Sequence, residues 1–171
     1  MRVLGIDPGL TRCGFGVIDS TTTGKASLIA VGVLRSDTAA PIEQRLLEID
    51  RGISELFSEY QPAGVAVERV FAQANVRTVM GTAQVSGLAL VAASRRDIPV
   101  RSYTPSEVKA AITGSGRADK AQVGTMVTKI LGLSEMPKPA DAADALAIAI
   151  CHLWRGAAQD RIAAAVAAAR R

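Results

Sequence analysis

The sequence predicts an α/β domain built on a five-stranded mixed sheet, three antiparallel strands followed by two parallel ones, with helices on its flanks. Three observations predict it. Three β-type runs fill the first 35 residues with only short connections between them. Two later strand-like runs, near residues 64 and 98, each follow a segment of helical periodicity. The chain then closes on three helical segments. Short links between early strands call for an antiparallel meander, and a helix between two strands gives a parallel crossover.

Arg2–Asp7 is an apolar run that stops at Asp7-Pro8-Gly9, a turn signal. Gly14–Ser20 alternates as a second strand, Thr21–Lys25 is a polar turn around Gly24, and Ala26–Arg35 is a third run rich in Ile, Val and Leu. Pro41 opens a helix at a position it favours. Ile42, Leu46, Ile49, Ile53 and Leu56 then recur at helical spacing, with Leu47 and Phe57 widening the stripe, until Gln61-Pro62 ends it. Gly64–Val70 is an apolar strand interrupted by Glu68, and Phe71–Asn75 is a loop whose Asn75 is suited to cap the next helix. That helix, Val76–Arg96, contains Gly81 and Gly87, which leave room for close packing of another helix, including one from a second subunit. Ile98–Tyr103 is the last strand. Thr104-Pro105-Ser106-Glu107 has the pattern of a helix start, and that helix runs to about Thr113. After the loop Gly114-Ser115-Gly116-Arg117, Asp119 begins a helix to about Leu131, and Pro137-Lys138-Pro139 breaks the chain before a helix over Ala140–Arg155. Residues 1–155 thus form one domain, and 156–171 an Ala/Arg-rich tail, either a frayed helix or disordered.

A chain of 171 residues suits one core, and 49% hydrophobic with 21% charged residues is ordinary for a folded globular protein. No apolar run is long enough to span a bilayer, and the N-terminus reaches Asp7 too early for a secretory signal. A cytoplasmic protein with no membrane partner is therefore expected. Cys13 and Cys151, the only cysteines, make neither a disulfide framework nor a zinc spacing and read as small buried residues. Charge is unevenly spread: residues 1–68 are net −3, whereas 69–129 carry nine basic and three acidic residues. The middle third is a candidate surface for a polyanion, with solvated helix faces as the plainer alternative.

Four acidic residues stand where burial makes them costly. Asp7 ends an apolar strand, Glu68 interrupts Val65-Ala66-Val67, and Asp141 and Asp144 open a helix made mostly of Ala, Leu and Ile. A buried carboxylate costs several kcal/mol unless its charge is compensated. No Lys or Arg lies three or four residues from Asp141 or Asp144 within that helix. A divalent cation resolves the conflict with oxygen ligands alone, and such a set favours Mg²⁺ or Mn²⁺ over zinc. Asp141 and Asp144, three apart, share a helix face. If the first and fourth strands are neighbours, Asp7 and Glu68 meet on one face of the sheet. Each also has a plainer role: Asp7 as a turn residue, Asp141 as a helix cap, Asp144 as a favourable charge near a helix N-terminus. Glu68 has none, because an unpaired Glu in a buried strand is rare.

Leu4-Gly5-Ile6-Asp7-Pro8-Gly9, Val67-Glu68-Arg69-Val70-Phe71 and Asp141-Ala142-Ala143-Asp144-Ala145-Leu146-Ala147-Ile148-Ala149 together resemble the RuvC family of crossover (Holliday) junction endodeoxyribonucleases, from about Arg2 to Trp154. The resemblance implies an RNase H-like fold. It implies a homodimer that nicks two like-polarity strands of four-way junction DNA, leaving 5′-phosphate and 3′-hydroxyl ends, with a branch-migration helicase as partner. By position it implies that Asp7, Glu68, Asp141 and Asp144 hold two Mg²⁺ ions per subunit, with Mn²⁺ able to substitute. Phe71 matches an aromatic that stacks on bases at the junction centre, and Lys109 and Lys120 match basic residues near the cleaved strand. Arg69, Arg77 and Arg117 are further candidates for phosphate contacts. The plainer reading of Phe71 is a loop anchor, and of the lysines, solubility. The chain departs from the family in Ala72-Gln73-Ala74-Asn75, where relatives often place a lysine, and at Val85, where many carry arginine. His152 matches no catalytic position and reads as structural.

Two other enzyme classes and one binding class remain. Asp7-Pro8-Gly9 also resembles the first phosphate motif of actin-like ATPases, but those need a second such domain. A non-catalytic module that recognises junction DNA, and an RNase H-like nuclease with another nucleic-acid substrate, are the alternatives that the acidic residues alone leave open.

Overall fold

The computed structural model describes the backbone of residues 1–20, 25–69 and 76–169, and the side chains of 1–20, 25–69 and 78–156. The elements follow in the order β1 (Arg2–Asp7), β2 (Arg12–Ser20), β3 (Ala26–Arg35), α1 (Ile42–Tyr60), β4 (Gly64–Glu68), α2 (Val76–Ser94), β5 (Val100–Tyr103), α3 (Pro105–Thr113), α4 (Lys120–Leu131) and α5 (Ala140–Ala169). This is the predicted order. Boundaries move by a few residues: β2 starts two residues earlier, and β5 starts at Val100 rather than Ile98. α5 carries the backbone of the tail in helical form to Ala169. Val70, the expected end of the fourth strand, and Asn75, the expected cap, lie outside the described residues.

The sheet order is β3-β2-β1-β4-β5. β1 pairs antiparallel with β2 and parallel with β4, so the chain's first strand lies at the centre of the sheet. The parallel register sets Leu4 opposite Val65 and Ile6 opposite Val67. One step further along both strands stand Asp7 and Glu68, level with each other. β4 in turn pairs parallel with β5.

Alternation along the strands sorts side chains into two cores, one on each face. Leu4, Ile6, Val17, Val65 and Val67 pack with Ile49, Ile53 and Phe57 of α1 and with Val85 and Ala89 of α2. Val3, Ile18, Ala66 and Tyr103 pack with α3, α4 and the Leu146–Cys151 stretch of α5. Val85 is fully buried in the first of these cores. Asp7 and Glu68 continue the second face, two residues beyond Gly5 and Ala66, and so point toward α5.

Two glycines fix how closely α5 approaches. A Cβ on Gly5 would overlap the Ala145 carbonyl, and one on Gly14 would overlap the Asp141 carbonyl. Gly14 pairs with Asp7 across β1 and β2. The bare sheet backbone therefore seats the first turns of α5 directly over Asp7. Alanines at 142, 143, 145, 147 and 149 of α5 are all buried, which suits this short spacing.

The helix starts are chemically defined. Thr104 caps α3: its hydroxyl accepts from the Glu107 amide while the Glu107 carboxylate accepts from the Thr104 amide, with Pro105 at the first helical position. Asp119 and Gln122 make the same reciprocal pair at α4. His152 is buried, and its Nδ1 lies 2.9 Å from the Tyr103 hydroxyl, which supplies the partner that a lone histidine lacks in the sequence. Both cysteines are buried, and burial pushes the Cys13 thiol up to about 12 and the Cys151 thiol up to about 11. At these values neither is a thiolate near neutral pH.

Candidate metal centre and nucleic-acid interface

The four predicted carboxylates come from three separate elements. Asp7 ends β1, Glu68 ends β4, and Asp141 and Asp144 lie in the first turns of α5. Asp141 follows Ala140, the first residue of α5, so it lies inside the helix rather than at its cap. Asp7, Glu68 and Asp144 line one cavity of about 350 Å³. Its rim carries Lys109 and Lys120, and Val108, Val123, Ala147 and Ile148 form its apolar wall. Asp141 opens onto the adjoining groove, together with Arg12 and the Gly9–Thr11 turn.

The charges in this cavity are under-compensated. Burial raises the Asp7 carboxyl well above the usual carboxylate range, and the charges of Glu68, Asp144 and Asp141 raise it further. Lys120 offsets only part of this. Burial and the Asp144 charge raise Glu68 too. A hydrogen bond with Asp7 and the ammonium groups of Lys120 and Lys109 pull Glu68 down without reversing the shift. Both carboxyls are thus biased toward the protonated form when no cation is bound.

The two helix carboxylates are compensated from outside their helix. Arg12 Nε donates to Asp141 Oδ2 at 2.6 Å, and Lys120 Nζ donates to Asp144 Oδ2 at 2.9 Å. Asp144 accordingly holds the Lys120 ammonium above its ordinary pKa. Spacing along one helix could not reveal these partners, which arrive from β2 and α4. Among the described residues, no group of three or more His, Cys, Asp and Glu side chains is arranged to hold a metal ion. The donor chemistry still fits one. All four groups are carboxylates, and the upward shifts of Asp7 and Glu68 mark a local deficit of positive charge, which a hard divalent cation would fill.

The basic candidates divide. Lys109, half-buried on α3, and Lys120, exposed at the first position of α4, both reach the cavity. Arg69 is exposed; its backbone amide donates to the Tyr103 carbonyl, and its charge helps hold the Glu107 carboxyl below its usual range. Arg117 lines a separate open pocket between α3 and α4, away from the carboxylates. Phe71 and the side chain of Arg77 lie outside the described residues. Arg12 is the site residue that the motifs did not flag. The available signal was a cation five positions beyond Asp7, just after the Asp-Pro-Gly turn.

With this geometry in place, likeness to known proteins becomes informative. Residues 3–152 match the family model described as crossover junction endodeoxyribonuclease RuvC. A protein of that name from Salinispora arenicola is 62% identical over 171 residues, spanning 100% of this chain and 98% of its own length. Among solved structures, the Thermus thermophilus RuvC structure superposes with a TM-score of 0.86 at 37% identity, covering 93% of this chain and 97% of that one. T. thermophilus RuvC in complex with Holliday junction substrate gives 0.83 at 39% identity, covering 89% and 92%. The shared fold is a mixed five-stranded sheet with flanking helices, of RNase H-like type. Sequence and fold thus converge, and the chain belongs to the RuvC family of crossover junction endodeoxyribonucleases.

Proposed function

We propose that this chain is an endonuclease that resolves four-way (Holliday) DNA junctions in recombination and repair, hydrolysing phosphodiesters with metal held by Asp7, Glu68, Asp141 and Asp144. The observation that carries the reading is the gathering of Asp7, Glu68 and Asp144 around one cavity rimmed by Lys109 and Lys120, in a chain of RuvC descent. Metal dependence is in keeping with the family. The finer assignment, two Mg²⁺ per subunit with Mn²⁺ as a substitute, is what the family resemblance implies, and an all-carboxylate donor set suits either ion. When bound, such ions activate water and neutralise the departing 3′ oxygen of a phosphodiester.

The chain's own residues do the rest. Asp7 and Glu68, fixed by adjacent strands, present their oxygens from a rigid floor. Asp144 joins them from α5, and Asp141, three residues earlier on the same helix, lies beside the cavity. Lys120 and Lys109 attract the scissile phosphate, and Arg69, Arg77 and Arg117 extend the basic surface. Phe71, three positions after Glu68 in the sequence, would stack on an unpaired base, a contact worth roughly 1–3 kcal/mol. Paired symmetric nicks leaving 5′-phosphate and 3′-hydroxyl ends require two such sites, hence a homodimer. An exposed apolar stripe on α2 supports this. Met80 and Val91 are about half exposed, and Gly87 between them has nothing within 4 Å of its Cβ direction. Gly81, by contrast, packs on Leu10 of its own chain.

Residues 1–155 are taken as the nuclease domain and 156–171 as its tail. A branch-migration helicase complex is the proposed partner and the cytoplasm the proposed location. Among the described residues, no helix is long and apolar enough to cross a membrane.

The test compares a four-way junction with a linear duplex of the same sequence, with Mg²⁺ and with chelator. Paired nicks are expected on the junction with Mg²⁺ alone. Asp7→Asn should bind the junction and lose cutting by more than roughly 100-fold, since removing even a residue that only supports a metal ligand costs roughly 10–100-fold. Binding without metal-dependent nicking would favour a non-catalytic recognition module, and equal cutting of the duplex would favour a nuclease of other specificity.

A further inference from the structure

The groove beside the metal centre carries an observation that the family motifs do not use. It has a volume of about 990 Å³ and is lined by Thr11, Arg12, Arg45, Thr78, Thr82 and Asp141, among others. Asp141 and its groove neighbour Arg12 form an ion pair at 2.6 Å, with 41% of the Arg12 side chain and 28% of Asp141 exposed. The segment that carries Arg12 is held from behind. Arg45 Nη2 donates to the Thr11 hydroxyl at 2.7 Å, Arg45 Nε donates to the Ser36 hydroxyl at 3.0 Å, and that hydroxyl donates to the Leu10 carbonyl. Arg12 itself has no such brace beyond Asp141 among the contacts described, and its side chain lines the open groove, whose wall is part polar and part apolar.

We propose that Arg12 is an exchangeable counter-ion: it neutralises Asp141 in the metal-free protein, and when a divalent cation takes that carboxylate it turns into the adjoining groove and holds a backbone phosphate of the DNA. This rests on the reading of Asp141 as a metal ligand. Arg12 holds Asp141 Oδ2, and a divalent cation on either oxygen of this carboxylate repels the guanidinium and neutralises the charge that binds it, which favours release of Arg12 into the groove. A freed guanidinium presents a fork of donors matched to phosphate, and Asp141, which lines the groove, stands three residues along α5 from Asp144 of the catalytic cavity. Arg12 is thus a positioning residue for Asp141 and a phosphate contact in turn, and it couples metal binding to DNA binding. Lys120, paired with Asp144, is not equivalent. It rims the catalytic cavity itself, whereas Arg12 faces the neighbouring groove.

The experiment uses the full chain and four proteins: wild type, Arg12→Ala, Arg12→Lys and Asp141→Asn. Mg²⁺ affinity is measured by calorimetry without DNA. Junction affinity is measured against salt concentration, in chelator and in Ca²⁺. Arg12→Ala should bind Mg²⁺ about two- to fivefold more tightly, the range expected on losing a half-exposed ion pair. Its salt slope should fall by about one unit in Ca²⁺ and stay unchanged in chelator, because only the displaced side chain meets a phosphate. Arg12→Lys should keep both wild-type behaviours in direction. Unchanged or weaker Mg²⁺ binding by Arg12→Ala, or an unchanged slope in Ca²⁺, overturns the exchange. Asp141→Asn separates the two readings. If it binds Mg²⁺ like wild type, Asp141 is not a ligand and both fall. If it loses Mg²⁺ while Arg12→Ala changes nothing, only the exchange falls.

Discussion

Asp7 and Glu68 sit at matching ends of neighbouring parallel strands, and the burial of their charges has a consequence for stability. The folded-state pKa of Asp7 is raised above the unfolded value of about 3.9. The folded state therefore binds more protons in that range, and stability falls as pH rises through the window between the two values. The metal-free protein should gain stability on mild acidification from neutral pH through this pair. Asp7→Asn removes the buried charge and should raise the melting temperature of the metal-free chain at neutral pH, by about 2–4 °C for each kcal/mol relieved. Added Mg²⁺ should stabilise wild type and not the variant. Thermal melts with and without chelator check both statements; a variant melting below metal-free wild type would show that Asp7 is not strained. Glu107 behaves in the opposite sense. Its carboxylate is held low, first by the Thr104 amide, so its stabilisation is present above its unfolded pKa and is lost as pH falls through the folded one. The identities of the four carboxylates were legible in the sequence, because a charge inside an apolar run needs a reason. Arg12 was not, because its partner lies 129 residues away and no local spacing links them.

At the scale of elements, the site depends on how α5 sits on the sheet. The antiparallel run of the first three strands and the parallel pairing that follows were readable from connection lengths, whereas the place of β1 beside β4 was not; the α3 and α4 starts were readable from their capping residues. Seating α5 this closely depends on Gly5 and Gly14, whose importance comes from a contact with a distant helix and leaves no periodic trace. Gly14→Ala places a methyl against the Asp141 carbonyl and should cost about 1–3 kcal/mol, with a matching loss of Mg²⁺ affinity as α5 shifts. Denaturant unfolding and calorimetry measure the two effects. Gly87→Ala, with open space around it, is the control and should leave the stability of an isolated subunit unchanged or better. Thr104→Ala removes one half of a capping pair and should cost about 1 kcal/mol while sparing metal binding. A larger loss at Thr104 than at Gly14 would mean that α5 packing is less tight than the contacts imply.

For the whole molecule, the charge pattern becomes spatial. The basic middle third supplies α3 and α4, which bring Lys109 and Lys120 to the cavity rim, while the acidic groups converge from both ends of the domain. In the proposed homodimer, the exposed face of α2 would join the two subunits. Val91→Glu puts a charge into that apolar stripe and should convert a dimer to a monomer in light scattering, with paired nicking lost and metal binding kept. A wild-type chain that is monomeric on junction DNA would contradict the paired-site account. The most direct measurement of the central claim is anomalous diffraction from crystals of the full chain grown with Mn²⁺. The account predicts a manganese peak bonded to carboxylate oxygens of Asp7, Glu68 and Asp144. A fully ordered cavity with no such peak, and with Asp144 still bound to Lys120, would contradict it.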